Sequence, residues 1–229
     1  MPTITILHGE NQVLSRAELV RMMDVAKTRG EVNTIDGSKI SIADLHTALG
    51  STSLFGDERT IVIERIWSQK SPSKKKELLT LVAQSPVSVI LWHPKKVTVT
   101  QMKEVSKVKP ELKEFKVSME TWKLIDSLGS SDRKKILTSL HKSCQQDGAE
   151  FVFSQVVSRI RGLLLVANGG TPGGAPFTIQ KMRSQATSFL PDKLFTLHQT
   201  LVEQDRRLKT STAVLSTEQF LTMFCLKSI

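Results

Sequence analysis

Phosphate chemistry leaves a recognisable trace in a sequence: glycines that let backbone N–H groups close on an anion, followed by Lys and Ser or Thr. The first apolar run, Ile4-Thr5-Ile6-Leu7, leads into His8-Gly9-Glu10-Asn11-Gln12, with one glycine and no lysine. Asp36-Gly37-Ser38-Lys39 places a glycine near a lysine, but after the wrong run and without the upstream glycine. There is no Gly-x-Gly-x-x-Gly, and Trp92-His93-Pro94-Lys95 stands where an acid would be needed to hold magnesium. Intrinsic ATP hydrolysis is not expected. The five histidines are scattered, none at ligand spacing from another His or a Cys, so neither metal nor cofactor is expected. His8, at the end of the first run, can line a cleft, although a structural histidine is the plainer reading. Cys144 and Cys225 read as small buried hydrophobes and suit a reducing compartment. No nucleophile has a neighbouring base at usable spacing. The residues point to a protein without catalysis of its own.

One segment stands apart. Gly50-Ser51-Thr52-Ser53-Leu54-Phe55-Gly56-Asp57 sets a Leu-Phe pair between glycines, past a helix and directly before a strand. Adjacent side chains point in different directions, so the two do not serve one core face. Exposed together, Leu54 and Phe55 make a compact apolar plug for a pocket on another protein. The competing reading is that Phe55 packs beneath the sheet, as Phe commonly does.

Charge is the second signal. The 229 residues hold 32 Lys and Arg against 22 Asp and Glu, a formal net of +10. Positions 70–116 carry eleven basic and four acidic residues. Such a surplus attracts polyanions by Coulomb steering and counterion release. A solvated surface serving only solubility is the other reading. No DNA-reading motif accompanies the charge, so Lys74, Lys75, Lys76, Lys95 and Lys96 are candidates for lying near nucleic acid, not for reading a sequence. Aromatic residues are 5% with no Tyr, which argues against stacking platforms for single strands.

The elements that must position these residues follow from periodicity. Strands are expected at 4–7, 31–35, 60–63 and 87–92, with a short last one at Phe115-Lys116-Val117. Between them lie helical patterns: Val13, Leu14, Ala17, Val20 and Met23; then Leu45, Ala48 and Leu49; then Leu78, Leu79 and Val82 behind Ser71-Pro72. Alternation of this kind predicts a parallel sheet covered on both faces. From Ser118 onward only helices are expected. The first carries Met119, Trp122, Ile125 and Leu128, and the second Ile136, Leu137 and Leu140. Further helices span 149–167, 177–187 and 191–209, and the last starts at Ser216 with Phe220, Met223, Phe224 and Leu226. The Gly- and Pro-rich stretch 168–176 reads as a loop. The expected organisation is therefore an α/β domain, 1–117, and a helical domain, 118–229, separable by a cut near Ser118-Met119. With 39% apolar residues, no stretch long enough to span a bilayer and no signal-peptide pattern, a soluble cytoplasmic protein is expected.

Several fragments, in order, resemble the bacterial DNA polymerase III delta subunit of the sliding-clamp loader. They are Leu7-His8-Gly9-Glu10, the run from Thr52 through Leu54-Phe55-Gly56-Asp57-Glu58-Arg59 to Ile63, Ser73-Lys74-Lys75-Lys76-Glu77-Leu78-Leu79 and Val89-Ile90-Leu91. Trp122-Lys123-Leu124-Ile125-Asp126-Ser127-Leu128, Ala175-Pro176-Phe177-Thr178-Ile179-Gln180-Lys181-Met182 and Asp205-Arg206-Arg207-Leu208-Lys209-Thr210 continue the series. The resemblance implies a degenerate AAA+-like α/β domain without an ATP site, followed by a helical, collar-like oligomerisation domain. It implies that Leu54 and Phe55, with Thr52 at a position often apolar in the family, enter a pocket on the sliding clamp and help open the ring. The implied partners are the clamp, the other loader subunits through the helical domain, and primer-template DNA. The implied role is a non-catalytic subunit of a DNA-directed DNA polymerase holoenzyme. Phe115-Lys116-Val117 passes almost directly to the Trp122–Leu128 fragment, which implies a reduced relative lacking the family's middle lid domain. A basic nucleic-acid-binding adaptor without the loader role is the alternative.

Overall fold

The computed structural model describes residues 2–51 and 58–228, and the chain divides into two compact units, Met1–Lys116 and Val117–Ile229. In the first, five strands form one sheet: β1 (Ile4–Gly9), β2 (Gly30–Asp36), β3 (Glu58–Glu64), β4 (Ser88–His93) and β5 (Glu111–Phe115), in the order β2-β3-β4-β1-β5. All pairings are parallel, because a helix returns the chain between successive strands. These helices are α1 (Gln12–Lys27), α2 (Ile42–Gly50), α3 (Pro72–Ala83) and α4 (Val99–Ser106). The fold is the expected α/β sheet domain followed by a helical region.

Register sorts the side chains into two layers. Ile6, Ile61, Ile63, Val89 and Leu91 pack with Leu45 and Leu49 of α2, Leu78 and Val82 of α3, and Met102 and Val105 of α4. Leu7, Val62, Ile90 and Trp92 face the other way, onto Leu19 of α1. Each such side chain removed from water contributes about 1.5–3 kcal/mol. Among the described residues, one face thus has three helices and the other α1.

Three expectations for this unit change. The last strand lies at Glu111–Phe115, not Phe115-Lys116-Val117; as an edge strand it is largely exposed and lacks the apolar run that marks the central strands. Helix α4 was not foreseen: it is short, begins with β-branched Val99 and Thr100, and buries only Met102 and Val105. On α1 the buried positions are Ser15 and Leu19, whereas Val13 and Val20 are exposed. The helix is rolled so that Ser15 Oγ accepts a hydrogen bond from Trp92 Nε1–H at 3.2 Å.

The second unit contains α5 (Met119–Ser127), α6 (Arg133–Asp147), α7 (Ala149–Ala167), α8 (Pro176–Ala186), α9 (Pro191–Lys209) and α10 (Thr217–Ser228). Helix α7 is central: its stripe of Val152, Val156, Ile160 and Leu163 is fully buried against Leu194, Leu197 and Leu201 of α9 and Leu221 and Phe224 of α10. Leu124, Ile125 and Leu128 complete the core from α5 and its end. Met119 and Trp122, expected on that inward stripe, face outward, and Trp122 is 40% exposed. The cause is polar. Asp147 accepts from Ser118 N at 3.0 Å, Ser118 Oγ at 2.7 Å and Thr121 Oγ1 at 2.6 Å, which turns Thr121 inward. Ser118 itself caps α5, and the divide between the units falls between Lys116 and Val117. A second buried polar group, Arg159 of α7, donates to Asp126 Oδ1 and Gln185 Oε1, both at 3.2 Å, while Gln185 Nε2 donates to the carbonyls of Ile125 and Leu128. Among the described residues, no helix is long and apolar enough to cross a membrane.

Candidate functional site

In open α/β sheets ligands bind beyond the carboxyl ends of the strands, where successive connections diverge. Here that point is the end of β1, flanked by β4 and β5. The link from β1 to α1 is only Glu10 and Asn11. Gly9 adopts φ 141°, and a Cβ at that position would stand 2.2 Å from the carbonyl oxygen of Phe115. Glycine is therefore required there by the close approach of β5. Asn11 N donates to that same carbonyl at 3.1 Å, and the Asn11 side chain accepts from Leu14 N at 3.1 Å, capping α1. Asn11 N, Gln12 N and Leu14 N, donors that a longer, glycine-rich link could turn on a phosphate, are thus engaged within the chain.

Beside this link His8 and His93 face each other in register on β1 and β4, 3% and 9% exposed. His8 Nδ1 accepts from Val97 N at 3.2 Å, and the His93 ring meets Trp67 edge-on at 5.7 Å. His93 Nδ1 has no hydrogen-bond partner among the described residues. Burial pushes the His93 pKa down to about 4, helped by the charges of Lys95, His8 and Lys75. Burial also lowers that of His8, where Glu114 opposes the shift and Lys96 adds to it. Both imidazoles are thus neutral near pH 7. They have no third ligand: among the described residues no group of three His, Cys, Asp or Glu side chains can hold a metal ion. The pair makes a packed, desolvated strand end.

The candidate lysines surround it in part. Lys74 and Lys75 stand half-buried and Lys76 exposed in the first turn of α3, while Lys95 and Lys96 are exposed on the chain leaving β4. Lys75 and Lys95 both lie near enough to depress the His93 pKa, so the fold brings these two together. Lys96 is neutralised by Glu114 at 3.0 Å, and Lys76 lies towards Glu104. Lys74, Lys75 and Lys95 have no ion pair among the described residues. The first turn of α3 has no acidic residue, although a helix N-terminus favours acids.

Thr52, Leu54 and Phe55 lie outside the described residues. The chain on either side is described, and one side chain holds it. Arg59 of β3, 11% exposed, donates from Nη1 to the Ser51 carbonyl at 2.7 Å and to the Ser51 hydroxyl, and pairs with Glu31 of β2 at 3.6 Å. The guanidinium thereby ties the end of α2 to the start of the sheet. Sequence reasoning passed over Arg59. Its signal was a long cation beside the β-branched run Thr60-Ile61-Val62-Ile63, where a buried strand ordinarily has none.

No family model matches the chain, and no curated protein matches it in sequence. Among solved structures it is similar to the Bacillus subtilis DNA clamp loader delta protein (YqeN), with a TM-score of 0.47 and 14% identity, over 98% of this chain and 94% of that one.

Proposed function

We propose that the protein is a delta-type clamp-loader subunit, without catalysis of its own, that grips a sliding clamp through Leu54 and Phe55 and helps open it for loading onto DNA. The observation that carries the reading is the combination of an AAA+-like parallel sheet with a β1–α1 link of two residues, in which Asn11 N is spent on β5 and the Asn11 side chain on α1. A nucleotide-binding architecture with its phosphate position taken up is what a partner-engaging subunit of an ATP-driven assembly needs. The ordered motif series supports the same assignment. Arg59 supports the placement of the grip, because it fixes the chain on both sides of 52–57. Assembly with other loader subunits falls to the helical unit, where Phe195 and Val202, seven residues apart on α9, expose large apolar side chains on one side of the helix. Primer-template DNA is met in the assembled loader, in the cytoplasm.

Two large apolar groups leaving water supply about 1.5–3 kcal/mol each before association costs. The double substitution Leu54→Ala, Phe55→Ala is therefore expected to weaken clamp binding by about 2–4 kcal/mol, roughly 30- to 1000-fold. Titration of the clamp from the same organism against parent and variant checks this. Equal binding, or loss of the folded state in the variant, sinks the assignment. The adaptor reading is favoured by one feature, the unpaired Lys74, Lys75 and Lys95. It predicts binding that falls steeply with salt and is indifferent to Leu54 and Phe55.

A further inference from the structure

We propose that the groove between α5 and α6, in the helical unit, is a binding surface for the phosphate backbone of duplex DNA. It is independent of the lysines around the sheet and does not rest on the clamp reading. The groove, about 340 Å³, is lined by Lys123, Lys134, Lys135 and Lys142 together with Thr138 and Ser139. Its two acids are engaged internally: Glu120 holds Lys123 at 2.8 Å, and Asp132 caps α6 by accepting from Lys135 N at 2.9 Å. Lys134, Lys135 and Lys142 have no ion pair among the described residues. Lys142 also contributes, behind Lys123 itself, to holding the Glu120 carboxyl below its usual range.

Three features say what this groove accepts. Lys134 and Lys135 sit in the first turn of α6, where the N-cap carboxylate of Asp132 is taken up by Lys135 N, so two ammonium groups stand side by side at this helix end. An anion between the two ammonium groups offsets their mutual repulsion. Ser139, 6% exposed, and Thr138 line the groove beside the lysines. Every lining side chain is polar, so a lipid surface or an apolar helix finds nothing to bury against. The absence of an aromatic in the lining removes base stacking and favours a duplex over a single strand. Lys135 and Lys142 are seven residues apart, about 10 Å along the helix axis at 1.5 Å per residue. At about 3.4 Å of duplex axis per phosphate on one strand, that span follows about three phosphates.

The test uses the full chain and a 20-base-pair DNA duplex, with binding read by fluorescence anisotropy across a salt series. The triple variant K134E/K135E/K142E is expected to bind at least tenfold more weakly, with a log K against log salt slope shallower by about 2 to 3. K134Q/K135Q/K142Q, which keeps good helix formers and adds no repulsion, should lie between it and the parent. Circular dichroism verifies that both variants stay folded, and undiminished clamp binding separates this result from any failure of the clamp reading. The proposal is overturned if the parent does not bind the duplex at low salt, or if both triple variants bind it as the parent does. It is equally overturned if only substitutions at Lys74, Lys75 and Lys95 weaken binding, or if the groove variants lose affinity for anionic vesicles and not for DNA.

Discussion

The two units bury polar groups by opposite means. In the α/β unit the deeply placed titratable side chains, His8 and His93, are kept uncharged by desolvation, and His93 Nδ1 is left without a described partner. In the helical unit Asp147 and Arg159 are surrounded by matched donors and acceptors from two or three helices. The first arrangement is sensitive to pH and tolerant of losing a contact. The second is intolerant of losing Asp147, the acceptor on which three donors converge. A buried polar group can be held by suppressing its charge or by saturating it, and each choice leaves a different weakness.

The largest expected effect tests saturation. Asp147→Ala removes the acceptor shared by Ser118 N, Ser118 Oγ and Thr121 Oγ1, and should cost about 3 kcal/mol in urea denaturation, with Asp147→Asn recovering part of it. A cost under about 1 kcal/mol would mean that the α5 cap is ornamental. Acid tests suppression. Because the folded-state pKa of His93 lies near 4, below the ordinary 6.5, the unfolded chain binds more protons between these values. Stability therefore declines as pH falls from about 6.5 to 4, by up to about 3 kcal/mol. His93→Leu should flatten most of that decline, leaving the smaller share due to His8. Tryptophan emission, through Trp67 against the His93 ring, follows the transition. The smallest effect sharpens the contrast within the helical unit. Arg159→Met fills a similar volume, and Asp126 retains Lys181 as a partner, so the cost should be near 1 kcal/mol. A loss as large as that for Asp147→Ala would show that the guanidinium, and not only its packing, is indispensable.

What the sequence made legible tracks what each element buries. Strands β1, β3 and β4 are buried on both faces, and their apolar runs announce them; α7 and α9 display stripes at helical spacing. The edge strand β5 pairs on one side only, through Glu111-Leu112-Lys113-Glu114-Phe115, and has no such run. For α4 the usable sign was local: Thr98 and Gln101 form a reciprocal capping box, readable as Thr-x-x-Gln before two apolar positions. Charge alone singles out Lys75 and Lys95, and only the folded placement of α3 and the end of β4 puts them beside one strand end. Arg59 with Ser51, Asp147 with Ser118, and Arg159 with Asp126 are pairings across 8 to 33 positions. No periodicity encodes partners of that kind, so they surface only when the chain is folded.

The two thiols give the helical unit a chemical clock. Cys144 and Cys225 are the only cysteines, both lie in that unit's core, and burial pushes each pKa up to about 12. Alkylation requires a thiolate that reagent can reach, so the folded protein is protected on both counts. The α/β unit contributes no background, having no cysteine at all. The rate at which an alkylating reagent consumes thiol therefore records how often the helix bundle opens, without any engineered label.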